Sequence, residues 1–157
     1  MITMLKGDGG FKFDIVGESY SQPELGHLAG PKTELGVKLR CIALLLPEDE
    51  NPHDRNAVKV GIVELEQNRT LAVGYLRRND AAQFRREIEQ FDIDGSSRIL
   101  CEAMIVGGWD RPAWDSDDDW DENGDWIGDD DARDIGNYGV KLDLVFPLER
   151  NEEFQLT

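Results

Sequence analysis

The sequence predicts a mainly β fold of the α+β class: a small six-stranded β-barrel with one inserted helix and an acidic hairpin loop. Three observations carry this. Apolar and polar residues alternate in several short stretches, the period-two signature of half-buried strands. Helical spacing appears over Ala81 to Phe91, between two strand-like runs. The stretch 36–46 passes from one-sided to two-sided apolarity, which suits a strand in a barrel that closes over its end.

Residues 1–10 read as a flexible N-terminus, 11–147 as the domain with an acidic, Trp-rich insertion at 109–134, and 148–157 as a C-terminal tail. Phe11, Phe13 and Ile15 alternate in the first strand. Pro23 to Pro31 is turn-rich and reads as a linker with at most one helical turn. Next, Val37, Leu39, Cys41, Ala43 and Leu45 share one strand face; Lys38 and Arg40 begin the other, which becomes apolar at Ile42, Leu44 and Leu46. Val58, Val60 and Ile62 alternate in a strand over 57–66, followed by a turn at 67–70 and a strand at 71–76. Asn79 is a candidate N-cap for a helix whose apolar face is Ala81, Phe84, Ile88 and Phe91 and whose other face carries Arg85 and Arg86. Strands over 98–107 and 140–146 complete the set.

The 157 residues suit one domain with its own core, and a hydrophobic content of 39% favours folding over disorder. No apolar run approaches the ~20 residues of a membrane span. The N-terminus also lacks the apolar region of a signal peptide, so a cytoplasmic protein with no membrane partner is expected. Cys41 and Cys101 lack metal-ligand spacing and read as buried free thiols. The net charge of −16 argues at face value against a polyanion partner, because phosphate binding rests on Lys and Arg. The charge is concentrated, however. From Trp109 to Asp134 stand 12 acidic residues and two Arg, a net −10; the remaining 21 acids and 15 bases leave −6. A basic patch on the body is therefore compatible with the composition.

No nucleophile elbow, Walker loop or dinucleotide glycine loop occurs, so no enzyme is expected. Chemistry is suggested instead by the corner NPHDRNA (Asn51 to Ala57), where Pro52 fixes the backbone and Asn51, Asp54 and Asn56 can bond nearby N–H groups. Around it, in order, stand FDIVGESY (Phe13 to Tyr20), VGYLRRNDA (Val73 to Ala81), IVGGW (Ile105 to Trp109) and YGVKLDLVF (Tyr138 to Phe146). Together these resemble the HIRAN family, whose pattern joins V-G-x-x-aromatic, an N-P-aromatic-D-x-N-A corner and V-G-aromatic-L leading into a helix. The resemblance covers about Phe11 to Pro147 outside the acidic loop.

The resemblance implies an OB-like barrel, no catalytic residues, and binding of the 3′ end of single-stranded DNA. Tyr20 and His53 match the aromatic positions that would sandwich a terminal base; Asp54 would accept from a free 3′-OH. Tyr75 would donate to a phosphate, and Arg77 and Arg78 would neutralise the backbone. Two departures stand out: Ser19 where DNA-binding members can carry a base, and His53 in place of the more usual Tyr. Read without the family, Tyr20 and Tyr75 equally fit barrel packing, Asp54 an Asx-turn acceptor, and Arg77 and Arg78 a solvated helix start.

All four tryptophans lie in the acidic insertion, and Asp119, Asp121, Asn123, Gly124, Asp125 and Asp130 follow the spacing of an EF-hand Ca²⁺ loop. Asp130 replaces the bidentate Glu, Trp126 is bulky, and in so acidic a run the spacing can arise by composition alone. The sequence thus leads to a DNA-end-binding module for repair or replication stress, acting beside a separate helicase or nuclease, with no obligatory cofactor. The alternative is a protein-interaction or regulatory module that uses the Trp/Asp loop, with or without Ca²⁺. Clustering of Arg55, Lys59, Arg77, Arg78 and Arg85 around Tyr20 and His53 would favour the first.

Overall fold

The computed structural model describes residues 2–91, 93, 97–113, 121–125 and 132–153. Its strands are β1 (Ile2–Met4), β2 (Phe13–Val16), β3 (Val37–Pro47), β4 (Val58–Glu64), β5 (Arg69–Leu76), β6 (Arg98–Gly107), β7 (Asp110–Pro112), β8 (Arg133–Ile135) and β9 (Tyr138–Asp143). Two α-helices, α1 (Gln22–Ala29) and α2 (Arg78–Ile88), and short 3₁₀ turns at Glu18–Tyr20 and Leu65–Gln67 connect them.

Six strands close into an antiparallel barrel in the order β6-β3-β4-β5-β2-β9, with β9 returning to β6. Alternation decides which residues fill it. Ala43 and Leu45, Val58, Val60 and Ile62, Ile99, Cys101, Ala103 and Ile105, and Val140 and Leu142 all point into one buried core. Phe84 and Ala81 of α2 join that core, with Ile88 and Phe91 packed against it. The mainly β barrel with an inserted helix, OB-like in shape, is therefore the fold of this chain.

Several local expectations change. Residues 1–10 are not a loose leader: Ile2–Met4 pairs parallel with Arg98–Leu100, and Leu5 is buried. A strand of three residues has no periodicity of its own, so only its distant partner strand reveals it. The same N-terminal stretch is held farther on by Asp143, a carboxylate with 2% exposure that accepts the N–H groups of Gly9 and Phe11. Gly7 passes so close to Asp143 that any Cβ there would collide with the carboxylate. The C-terminal tail is likewise anchored at its start, since Leu148 is buried and Arg150 bridges Leu5.

The stretch read as a linker contains α1, two turns of helix. Pro23 stands in the first turn, where its missing N–H is harmless, and Leu25, Leu28 and Ala29 supply the inward face. The Gln22 side-chain amide bonds both the N–H and the C=O of Tyr138, while the Tyr138 hydroxyl donates to Gly30, so α1 is latched at both ends. Helix α2 begins earlier than expected: Arg77 occupies the N-cap position without a side-chain cap, and Asn79 falls inside the first turn. Both cysteines are free; burial pushes the Cys41 thiol up to about 11 and raises Cys101 further.

Candidate nucleic-acid interface

The corner between β3 and β4 is built by short side chains that bond their own backbone. Asn51 Oδ1 accepts the N–H groups of His53 and Asp54 at 2.9 and 3.1 Å, and Asp54 Oδ1 accepts that of Asn56 at 2.9 Å. The Ala57 N–H then closes onto the Asp54 carbonyl at 3.1 Å, and Ala57 C=O accepts from Glu48 N–H at 2.8 Å. These are the Asx turns that the sequence of the corner calls for. They leave Asp54 Oδ2 facing outward, with the Arg78 Nε 3.7 Å away.

The corner meets the end of β5 across a bulge at Val60 and Gly61, an irregularity that re-aims the strand beside it. Gly74 is required here, because a Cβ would run into the carbonyl oxygen of Val16 on β2. The result is a cavity of about 350 Å³. Val16, Ala57 and Leu76 give it apolar walls, and His53, Asp54, Tyr75 and Arg78 bring polar groups to it. On the other side of His53 lies a shallower recess of about 710 Å³ edged by Glu48, Asp49 and Glu50.

Four of the six expected DNA contacts thus come together from two separate segments, the corner at 53–54 and the β5–α2 junction at 75–78. The other two stand apart. Tyr20, on the 3₁₀ turn that follows Gly17 in the left-handed region, is 90% exposed and lies outside the cavity lining. Arg77 also lies outside it, with its guanidinium 3.5 Å from Asp14.

Glu48 is the residue that sequence reasoning missed. Its Oε1 accepts from the Tyr75 hydroxyl at 2.9 Å and from Asn51 Nδ2 at 3.1 Å, and its Oε2 pairs with Lys59 Nζ at 3.1 Å. Burial alone would raise this carboxyl, but the Asn51, Tyr75 and Lys59 donors outweigh it and hold the group below its ordinary value. The bond from Glu48 likewise raises Lys59; burial and then the Glu48 bond raise the Tyr75 phenol. Tyr75, expected to donate to a phosphate, spends its proton on Glu48. The only sequence signal was a Lys, a Tyr and a Glu on neighbouring strands, and it becomes legible once Lys59 is known to pair with Tyr75 across β4 and β5.

Of the five cations expected around Tyr20 and His53, Arg55, Lys59, Arg78 and Arg85 lie at the corner and Arg77 does not, and most of the four are matched with carboxylates. Lys59 pairs with Glu48, Arg78 lies near Asp54, and Arg85 pairs with Asp49 while donating to the Ala57 carbonyl at 2.9 Å. Arg55 flanks His53 in the same lobe. The acidic insertion springs from a stem of β7 and β8, where Asp134 accepts from Trp109 Nε1 at 3.0 Å and Arg111 Nε at 2.9 Å. Those two bonds lower the Asp134 pKa. Of the Ca²⁺ ligand set, Asp119 and Asp130 lie outside the described residues. Asp121 Oδ1 accepts the N–H groups of Asn123 and Asp125 at 2.9 and 2.8 Å, with Gly124 supplying a left-handed residue in the turn. Among the described residues no group of three His, Cys, Asp or Glu could hold a metal ion. No described helix is long and apolar enough to cross a membrane.

Compared with protein families, curated proteins and solved structures, the chain matches none.

Proposed function

We propose that the chain is a non-enzymatic module that captures the free 3′ end of single-stranded DNA at the cavity between the β3–β4 corner and the end of β5. The convergence of His53, Asp54, Tyr75 and Arg78 on one recess with apolar walls carries this reading. A terminal base would pack between His53 and the apolar wall, with the Tyr75 ring contributing a face and its hydroxyl retained by Glu48. Asp54 Oδ2 would accept from the sugar hydroxyl and repel a terminal phosphate. Arg78, 79% exposed and only loosely held by Asp54, would turn to the backbone. Damaged or stalled DNA, in the company of a separate helicase or nuclease, is the setting such an activity would serve.

The compensated charges set the expected binding mode. With Arg78 and Arg55 as the available cations, about two phosphates are neutralised, so the slope of log K against log salt should be roughly −1.4. End-labelled oligonucleotides carrying a 3′-OH, a 3′-phosphate or a blunt duplex end, compared at two salt concentrations, test the reading. The 3′-OH strand should bind best. Equal binding of 3′-OH and 3′-phosphate strands, or binding of duplex only, would overturn it.

A second reading, a protein-interaction module, draws on the built stem of the acidic insertion: Trp109 is clamped by Asp134 and stacked by Arg111, 5.3 Å from its ring centroid. Capture of a basic protein partner that is lost when residues 114–131 are removed would favour it.

A further inference from the structure

The outer surface of the barrel carries a second apolar cluster, separate from the core and from the DNA cavity. In register across four strands stand Met4, Leu100, Leu44 and Gly61. Met4, Leu44 and Leu100 are buried there although they point away from the barrel interior, with Ile42 and Val63 packed against them. Gly61 continues the row without a side chain, its place taken by the Thr70 methyl, and beside Leu44 and Leu100 a recess of about 300 Å³ opens. Leu44, Val63 and Leu100 form its walls, and Ile2 and Leu65 stand half exposed at its edge. Thr70 and Arg98 bring polar groups to the same recess.

Arg98 supplies the second observation. In a chain of net charge −16, Arg40, Arg69, Arg77, Arg78, Arg85, Arg111 and Arg133 each lie within 4.0 Å of a carboxylate. Arg98, like Arg55, Arg86 and Arg150, has no such partner among the described residues, and of these four it is the one that lines this apolar recess. A cation beside a hydrocarbon-walled space of this volume, at the small end of the range for ligand pockets, matches one ligand chemistry. We propose that this recess binds a small free carboxylate with a compact hydrocarbon body, the chain lying over Leu44 and Leu100 and the carboxylate meeting Arg98.

The test is calorimetric titration of the full chain with butyrate, hexanoate and octanoate, and with hexanol as the uncharged control. Affinity should rise about fourfold per added methylene until the recess is filled, the increment expected from burying one CH₂. Hexanoate should bind about fivefold more tightly than hexanol, the upper worth of an exposed ion pair. R98Q should remove that advantage and leave hexanol binding unchanged; Arg98 is exposed, so the variant should fold. T70F, which fills the mouth, should abolish binding of all four probes while the folded spectrum is kept. Absence of saturable binding, no dependence on chain length, or equal hexanoate affinity in R98Q and the unsubstituted protein would overturn the proposal. If T70F unfolds, the R98Q comparison decides alone.

Discussion

Replacing Tyr75 by Phe separates two roles for one hydroxyl. The family resemblance would have it donate to a phosphate; in the structure it donates to Glu48 at 2.9 Å. A hydrogen bond to a charged group is worth roughly 1.5–3 kcal/mol. Glu48 keeps 28% exposure and two other donors, so water and Asn51 take up part of the loss, and about 1 kcal/mol remains. For a domain of this size that is a fall of about 2–4 °C in melting temperature. Urea unfolding of Y75F, E48Q and the double variant should give a coupling of about 1 kcal/mol, because the two residues share one bond. DNA affinity of Y75F should stay within about threefold, since the ring remains and a loss below 1 kcal/mol is all that binding should feel. A pH series adds the sign. Glu48 is lowered in the folded state, so its contribution is fully present above the ordinary carboxylate range and is lost as pH falls below that range through the lowered value. Lys59 is raised, so its share persists to the ordinary Lys range and is lost as pH rises beyond it. E48Q should flatten the acid limb. Unchanged stability of Y75F together with a tenfold or greater loss of DNA affinity would refute this account and return the hydroxyl to the phosphate.

Tyr20→Ala should leave the urea midpoint unchanged, because the ring is 90% exposed, and should weaken oligonucleotide binding by about 1–3 kcal/mol if the ring closes over a bound base. Asp143→Ala should cost about 2–4 kcal/mol of stability in urea, since it orphans the buried Phe11 N–H and loosens Gly9; a cost below about 1 kcal/mol would show that water replaces the carboxylate. Replacing residues 114–131 by a Gly-Ser turn, with the Asp134 clamp retained, should leave the melting temperature nearly unchanged and raise DNA affinity most at low salt. On the intact protein, calcium titration followed by Trp emission checks the EF-like spacing, and no response to millimolar calcium would make it coincidence. Both thiols should react slowly with Ellman's reagent at neutral pH, because burial keeps them protonated, and react fully once urea unfolds the chain.

What could be read in advance followed physical scale. Strands whose partners are sequence neighbours announced themselves through alternation, as Val58, Val60 and Ile62 did, and so did the one helix long enough to show a repeat. β1 could not, because its only warrant is a partner strand almost a hundred residues away. α1 was hidden by Pro23 and Gly26, which read as breakers until Pro23 is seen in the first turn. At the site, the local chemistry of the corner was legible: Asn51 and Asp54 make the backbone bonds their types predict. Which charges neutralise which was not, since Glu48 with Lys59, Asp49 with Arg85 and Asp14 with Arg77 are brought together by register and helix placement alone.

The manner in which the barrel closes has a consequence for how the chain folds. β3, β4 and β5 form a meander within about forty residues, but the seam is sealed by Phe13 opposite Leu142 and by Ile105 opposite Val140. Such distant pairings carry a large loop-closure entropy, and chains dominated by them fold slowly. The meander is thus the natural nucleus, and the seam is the last event, waiting on β9, the last strand of the barrel in chain order. φ values near one in β4 and near zero in β9 would mark that order. Until β9 emerges, the nascent chain must hold an open sheet whose edge β2 and whose stretch of β6 beyond β1 lack a partner, and that interval is when it is most exposed to aggregation.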